Sequence, residues 1–288
     1  MQKSLSHYAV AEELVRAVSQ PAIVSLFSST SSHPLSLASH VFTSTDLVQD
    51  SFISILNDAT DGKERLIAWK GASTSNDANS EDRVIRFKGS LSGASQNISS
   101  RVLHVQAPNV KSTGVRFGST TDLSKSLGIT LPWLHLSVKD VGQLFYFEVT
   151  VLDDRGERVC FRISTFQTQA KVYPPPSASS KPTLVHLPLR FPDDTNHRLT
   201  PWSVISLDLP LLLFNAQNIP HQPGLNGQGR KRFGKFASLL SVEVHANCRL
   251  RRIWCTLDPG LPDDGMILRG WQTELGLFAA SATERTEG

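Results

Sequence analysis

The chain has 288 residues, 40% of them apolar, with 29 basic against 26 acidic side chains for a formal charge of +3. That apolar content suffices for one large all-β domain with extensions or for two smaller domains, and so slight a basic excess neither demands nor excludes a polyanionic partner. Cys160, Cys248 and Cys255 are too few and too scattered for a disulfide scaffold, the start lacks a secretory leader pattern, and no stretch reaches the roughly 18 apolar residues of a membrane span, so the chain reads as intracellular and soluble.

Leu5, Tyr8, Ala11, Leu14, Val15 and Val18 recur at steps of three and four, which predicts a short amphipathic helix ended by Pro21. The Ser-, His- and Pro-rich stretch through His40 reads as an arm, so residues 1–46 are assigned to a helix and flexible arm, 47–259 to a β-sandwich domain and 260–288 to a tail. Residues 50–56 suit a short helix or an edge strand. Strands are expected near 66–69, 84–87 and 101–105, around a polar loop at 71–80.

The centre carries the clearest two-residue period. Leu134, Leu136 and Val138 mark one strand; Phe145, Phe147, Val149 and Val151 mark the next, opposite in face to Tyr146, Glu148 and Thr150. After the turn Asp153-Asp154-Arg155-Gly156, Val159, Phe161 and Ile163 alternate with Arg158, Cys160 and Arg162, which completes a hairpin. Pro174, Pro175 and Pro176 stop the ladder. Val185, Leu187 and Leu189 then form a strand near a sheet edge, Ile205, Leu207 and Leu209 form another, and residues 218–232 form a surface insertion.

A last long strand is expected over 240–256. Val242, Val244, Ala246, Cys248 and Leu250 line one face, with Glu243, His245, Asn247, Arg249 and Arg251 on the other; a bulge at Arg251 and Arg252 turns both arginines outward and Ile253 inward. Many short strands with little helical pattern between them predict an all-β, antiparallel two-sheet sandwich with a short N-terminal helical extension.

No phosphate loop, nucleophile elbow or paired-histidine metal motif is present, so neither a catalytic residue nor a cofactor is assigned. His245, Cys248 and Cys255 are dismissed as a zinc set because strand residues three apart face opposite sides. Asp153-Asp154, Asp193-Asp194 and Asp263-Asp264 read as turn chemistry. The partner-binding candidates are His245, Asn247, Arg249, Arg251 and Arg252, a donor-rich stripe suited to a carboxylate-rich protein surface. No aromatic platform is interleaved with them, which disfavours nucleic acid. Trp133, Tyr146, Trp202 and Trp254 are the aromatics to inspect for carbohydrate binding.

The segment Val242-Glu243-Val244-His245-Ala246-Asn247-Cys248-Arg249-Leu250-Arg251-Arg252-Ile253 resembles the C-terminal signature strand of the cilia- and flagella-associated protein 20 family. In the family's order come Ser126-Leu127-Gly128-Ile129-Thr130-Leu131-Pro132, Tyr146 through Asp154, Phe161-Arg162 with Ser164 and Gln167, and Leu187-Pro188-Leu189-Arg190 followed by Asp193-Asp194. Ser51 through Leu56 resembles the family's N-terminal start.

The resemblance covers roughly residues 47–259. It implies a jelly-roll-like sandwich without a catalytic centre, and a structural role in the ciliary or flagellar axoneme at the inner junction of doublet microtubules. The implied partners are tubulin, inner-junction proteins and the parkin co-regulated gene product, with neither nucleic acid nor membrane. The alternatives are a carbohydrate- or ligand-binding module, and a centriolar microtubule-wall protein at the centriole or basal body. The N-terminal extension, a loop at 76–81, a longer connection at 194–201, the 218–232 insertion and the lack of a short basic tail mark a diverged member or paralogue.

Overall fold

Alternating apolar side chains cannot be buried by one sheet alone, and here they are buried between two. The computed structural model describes residues 20–43, 50–60, 65–69, 84–86, 100–175, 181–191, 202–220 and 232–259. The predicted N-terminal helix, the 76–81 loop, the 194–201 connection, most of the 218–232 insertion and the tail lie outside those residues.

The strands in chain order are β1 (Ile23–Ser28), β2 (Ala38–Phe42), β3 (Phe52–Asn57), β4 (Arg65–Trp69), β5 (Val84–Arg86), β6 (Arg101–Gln106), β7 (Gly114–Gly118) and β8 (Trp133–Lys139). They continue with β9 (Tyr146–Asp153), β10 (Arg158–Ser164), β11 (Lys171–Tyr173), β12 (Thr183–Pro188), β13 (Trp202–Asp208), β14 (Phe236–His245) and β15 (Cys248–Thr256), and helix α1 (Leu209–Ala216) follows β13. One sheet runs β13-β8-β15-β6-β3-β4-β5, with β1 also paired to β15; the other runs β11-β12-β10-β9-β14-β7-β2. The fold is thus a mostly antiparallel two-sheet sandwich with one short helix among the described residues.

The inner faces share one core. Leu134, Leu136 and Val138 of β8 and Leu250 and Ile253 of β15 belong to it, as do Phe147, Val149 and Val151 of β9 and Val159 and Phe161 of β10. Each large side chain removed from water there contributes roughly 1.5 to 3 kcal/mol before the entropy of ordering the chain is subtracted. The expected central hairpin is present, with Arg158 to Ser164 paired in register against Leu152 to Tyr146.

Several expectations are corrected. The arm supplies two strands: Leu26 and Phe27 of β1 are both buried, and a register shift between Ser25 and Phe27 brings these consecutive residues inward, which breaks the alternation a sequence shows. Strand β2 is an edge strand on β7 whose Ala38 and Val41 pack against the core, with Ser39 Oγ donating to Gly118 O at 2.6 Å. Strand β3 is central rather than at an edge, flanked by β4 and β6. Strands β10 and β12 pair in parallel, because the chain leaves β10, forms β11 outside, and returns to fill the place between them.

Leu209 starts α1 rather than ending a strand, since Asp208 caps the helix by accepting from Leu211 N at 2.9 Å. The long last strand is two strands in different sheets, β14 and β15, joined through a cis Ala246–Asn247 peptide bond. The bulge expected near Arg251 is present, as a register shift between Leu250 and Arg252, and Ile253 lies in the core.

Gly118 closes β7 with φ +77°, and a Cβ there would stand 2.3 Å from Leu240 O. Backbone conformation and backbone contact both exclude a side chain. Gly118→Ala is expected to cost about 2 to 4 kcal/mol in chemical denaturation, while Gly156→Ala, which has φ +81° but no atom within 4 Å of its Cβ, costs about 1. Equal losses would show that the contact is relieved by local movement.

Candidate functional site

The predicted donor stripe does not form a continuous outward row. His245 ends β14 in one sheet, Asn247 occupies the corner, and Arg249, Arg251 and Arg252 lie on β15 in the other sheet. All five are at most 9% exposed. Asn247 serves the corner itself: its Oδ1 accepts from Ala107 N at 2.7 Å, and its own N–H donates to Leu144 O at 3.0 Å.

Arg249 meets Asp58, a residue that sequence reasoning did not select. Asp58 accepts from Arg249 Nη1 at 2.5 Å, from Lys139 Nζ at 3.2 Å and from Trp202 Nε1 at 3.2 Å. Burial pushes the Asp58 carboxyl up, but the hydrogen bonds and charges of Arg249 and Lys139 outweigh it and hold it below the ordinary aspartate value. Burial lowers the Arg251 pKa, Arg252 lowers it further, and Asp58 opposes both. Further along the same sheet, His135 stacks between Trp133 and Trp254, at ring distances of 6.4 and 5.1 Å. Its ring nitrogens lie 2.8 Å from Ser206 Oγ and 2.8 Å from Thr256 Oγ1, and burial brings it down to about 4.

The outer face of the second sheet carries a constellation that no single segment displays. Cross-strand register places His40, Arg116, Glu243, Glu148, Arg162, His186 and Lys171 in one row across β2, β7, β14, β9, β10, β12 and β11. Arg116 pairs with Glu243, and Arg162 Nε donates to Glu148 Oε1 at 2.7 Å. His245 Nε2 lies 3.0 Å from Glu243 Oε1, and its ring stacks on Tyr146 at 4.0 Å, while the Arg162 guanidinium lies over the same Tyr146 ring, 5.3 Å from its centroid. Phe166 packs edge-on against Tyr146 and His186. Finding this row from sequence would have required β7 and the register of six strand pairs.

Glu148, Glu243 and His245 bring three ligand-type atoms within 4.8 Å of one another. Both carboxylates already hold a guanidinium, so two negative charges face two positive ones and the group is balanced by its own arginines. For Glu243, burial raises the pKa, but hydrogen bonds and charge from His245 and Arg116 prevail and bring it down to about 2. The thiols are poor nucleophiles: burial raises Cys160 and Cys248 and pushes Cys255 up to about 12. Of the four aromatics considered for carbohydrate, Tyr146 and Trp254 are buried and Trp133 and Trp202 half-buried, so they present no exposed strip.

The CFA20 domain profile matches residues 47–259 of this sequence. The chain belongs to the CFA20 domain family. It is 32% identical over 159 residues to Cilia- and flagella-associated protein 20 of Chlamydomonas reinhardtii, covering 55% of this chain and 66% of that protein. The corresponding protein of Paramecium tetraurelia is 30% identical over 160 residues, with 55% and 66% covered, and that of Caenorhabditis elegans 27% over 159 residues, with 55% and 63% covered. The chain thus spans just under two thirds of the length of the curated relatives it matches. CFA20-domain proteins are structural and non-catalytic, which fits buried, mutually neutralised charges. Strands β1 and β2 precede the matched CFA20 stretch yet are built into its sheets.

Two stability outcomes follow. Asp58→Ala removes the carboxylate shared by Arg249, Lys139 and Trp202 and is expected to cost about 2 to 4 kcal/mol in denaturant melts. Acidification should also destabilise the fold in two windows. His186, like His135, is brought down to about 4, by burial first and then by Arg162. Folded-state values below the ordinary histidine value mean that the unfolded chain takes up protons first, so stability is lost as pH falls from about 6.5 toward 4. Glu243 adds a loss from about 4.5 toward 2, on the order of 3 kcal/mol for that carboxyl. Glu243→Gln should flatten the lower window only; an unchanged slope below pH 4.5 would contradict the depressed carboxyl.

Proposed function

We propose that the chain is a structural microtubule-associated protein of the ciliary or flagellar axoneme, acting as a rigid spacer at the inner junction of doublet microtubules. The observation that carries this reading is the match over 47–259 to a family whose relatives are named for cilia and flagella. The geometry supports it in one respect. Cross-strand ion pairs brace the second sheet from β7 to β10, and Asp58 ties β8, β13 and β15 of the first. A module braced on both sheets transmits load without changing shape. The two-sheet arrangement also supports a jelly-roll-like description.

Tubulin, inner-junction proteins and the parkin co-regulated gene product are the proposed partners. Of the original stripe, His245, Asn247, Arg251 and Arg252 act by shaping the module from within. Direct contact is proposed at Lys139, whose side chain is 19% exposed where it borders Asp58, while the buried Arg249 holds that carboxylate in place. A partly exposed ion pair is worth about 0 to 1 kcal/mol, so no single cation anchors the chain.

A tagged chain expressed in ciliated cells is expected to decorate axonemes, and the purified protein to pellet with doublet microtubules. Lys139→Ala should weaken that pelleting by no more than about fivefold, in keeping with a rim contact. Diffuse wild-type protein that stays in the supernatant at every doublet concentration would overturn the assignment.

A further inference from the structure

A sheet ends in strands whose outer backbone groups have no ladder partner, and folds protect such edges by shortening, bending or charging them. Four strands end the two sheets here: β13 and β5 in the first, β11 and β2 in the second. Strands β5 and β11 are three residues long, and a register shift interrupts β2. Strand β13 has none of these devices. Its seven residues, Trp202-Ser203-Val204-Ile205-Ser206-Leu207-Asp208, pair with β8 in unbroken register and include no lysine, arginine, proline or glycine.

One hydrogen bond shows which backbone groups of β13 face outward. Leu209 N donates to Pro132 O at 2.9 Å, directly after the pair Asp208 and Trp133, so Leu209 and Pro132 occupy a hydrogen-bonded position of the ladder. Bonded and non-bonded positions alternate along an antiparallel pair. Leu207, Ile205 and Ser203 are therefore the residues bonded to β8, and the backbone N–H groups of Trp202, Val204, Ser206 and Asp208 point away from the sheet. Among the described residues no strand lies on that side. Ser206 is exposed and Val204 half-buried. Ile205 and Leu207 are only partly buried where they pack on the core, whereas Leu136 and Leu134, opposite them on β8, are fully buried. The core is open along this edge.

The edge is complementary to itself. Two copies of β13 laid antiparallel about a two-fold axis at Ile205 set Val204 of each against Ser206 of the other, and Trp202 against Asp208. Every outward-pointing residue then meets another outward-pointing residue, which is the condition for a bonded pair, and Ile205 meets Ile205 at the close, non-bonded position. An axis at Val204 or Ser206 would leave an end residue without its mate. No like charges oppose each other, since Asp208, the one charged residue of the strand, faces Trp202. The two partly buried Ile205 side chains cover one another across the axis.

We propose that the β13 edge is a homotypic docking site, at which a second copy of this chain adds its own β13 antiparallel and extends the first sheet across two molecules. A contact of one strand a side falls short of the roughly 1,200 to 2,000 Å² of a stable interface, so the dimer is weak, with a Kd of about 10 to 100 µM. The proposal is independent of the axonemal assignment, because it is read from backbone register alone.

Sedimentation equilibrium of the full chain from about 5 to about 300 µM, a range that brackets such a Kd, tests it. The wild type should pass from monomer to dimer. Val204→Pro removes an outward N–H and leaves the β8 ladder intact; it should stay monomeric throughout while its thermal melt by circular dichroism remains cooperative. Cross-linking reads the register. Ile205→Cys should give a disulfide-linked dimer on mild oxidation, because the two copies of that position meet at the axis. Leu207→Cys should not, because its copies lie about 14 Å apart, beyond the roughly 7 Å limit of a disulfide. The native cysteines are buried and stay out of the reaction. A wild type that is monomeric at the highest concentration would overturn the proposal, as it would be if the edge served a strand of another protein. So would a folded Val204→Pro variant that still dimerises, or a Leu207→Cys variant that cross-links as readily as Ile205→Cys. If the proline variant does not fold, the two cysteine variants decide the matter by themselves.

Discussion

The sandwich depends on one passage, the crossing of the chain from β14 to β15. Val242, Val244 and Ala246 on one side of the crossing and Cys248, Leu250 and Ile253 on the other all enter the same core, so a single run of inward side chains seals both sheets. Asn247 makes the corner possible. Its backbone N–H and both atoms of its amide reach the strand ends at Ala107 and Leu144, which satisfies polar groups that a buried turn would otherwise leave without partners.

Once the inner faces are committed to the core, the polar halves of the same strands must be accommodated outside, and many are themselves buried. A buried charge is tolerated only beside its opposite. The protein meets this requirement in two ways. On the second sheet the opposite charges lie on neighbouring strands, Arg116 with Glu243 and Glu148 with Arg162. On the first, the single carboxylate of Asp58, in the short turn after β3, gathers donors from β8, β13 and β15. These groups are occupied with one another, which agrees with membership in a family of structural, non-catalytic proteins. Their rigidity underlies the proposed role as a spacer, and the open edge of β13 is where the chain offers a surface of a different kind.

Much of this was legible in the residues. The alternation in 134–138 and 145–163, the turn at Asp153 to Gly156, the bulge at Arg251 and Arg252, and the two-sheet arrangement follow from a period of two and from turn chemistry, which are local properties. Family membership was legible too, in the segment from Val242 to Ile253. That segment also produced the main error about the site: alternation continues unchanged through the corner, because both sheets face one core, so β14 and β15 read as one strand and their polar residues as one outward stripe.

What only the tertiary structure decided is which polar residues meet. The row from His40 to Lys171 joins strands that are remote in sequence, and Asp58 finds Arg249 across 191 positions. Strands β1 and β2 were invisible for a related reason: each is interrupted by a register shift, and the second is a five-residue edge whose strand form comes from its partner β7. A sequence determines which faces are apolar, because that depends on neighbours two residues away. Which charge neutralises which depends on strand order and register, and those are set when the two apolar faces close on each other.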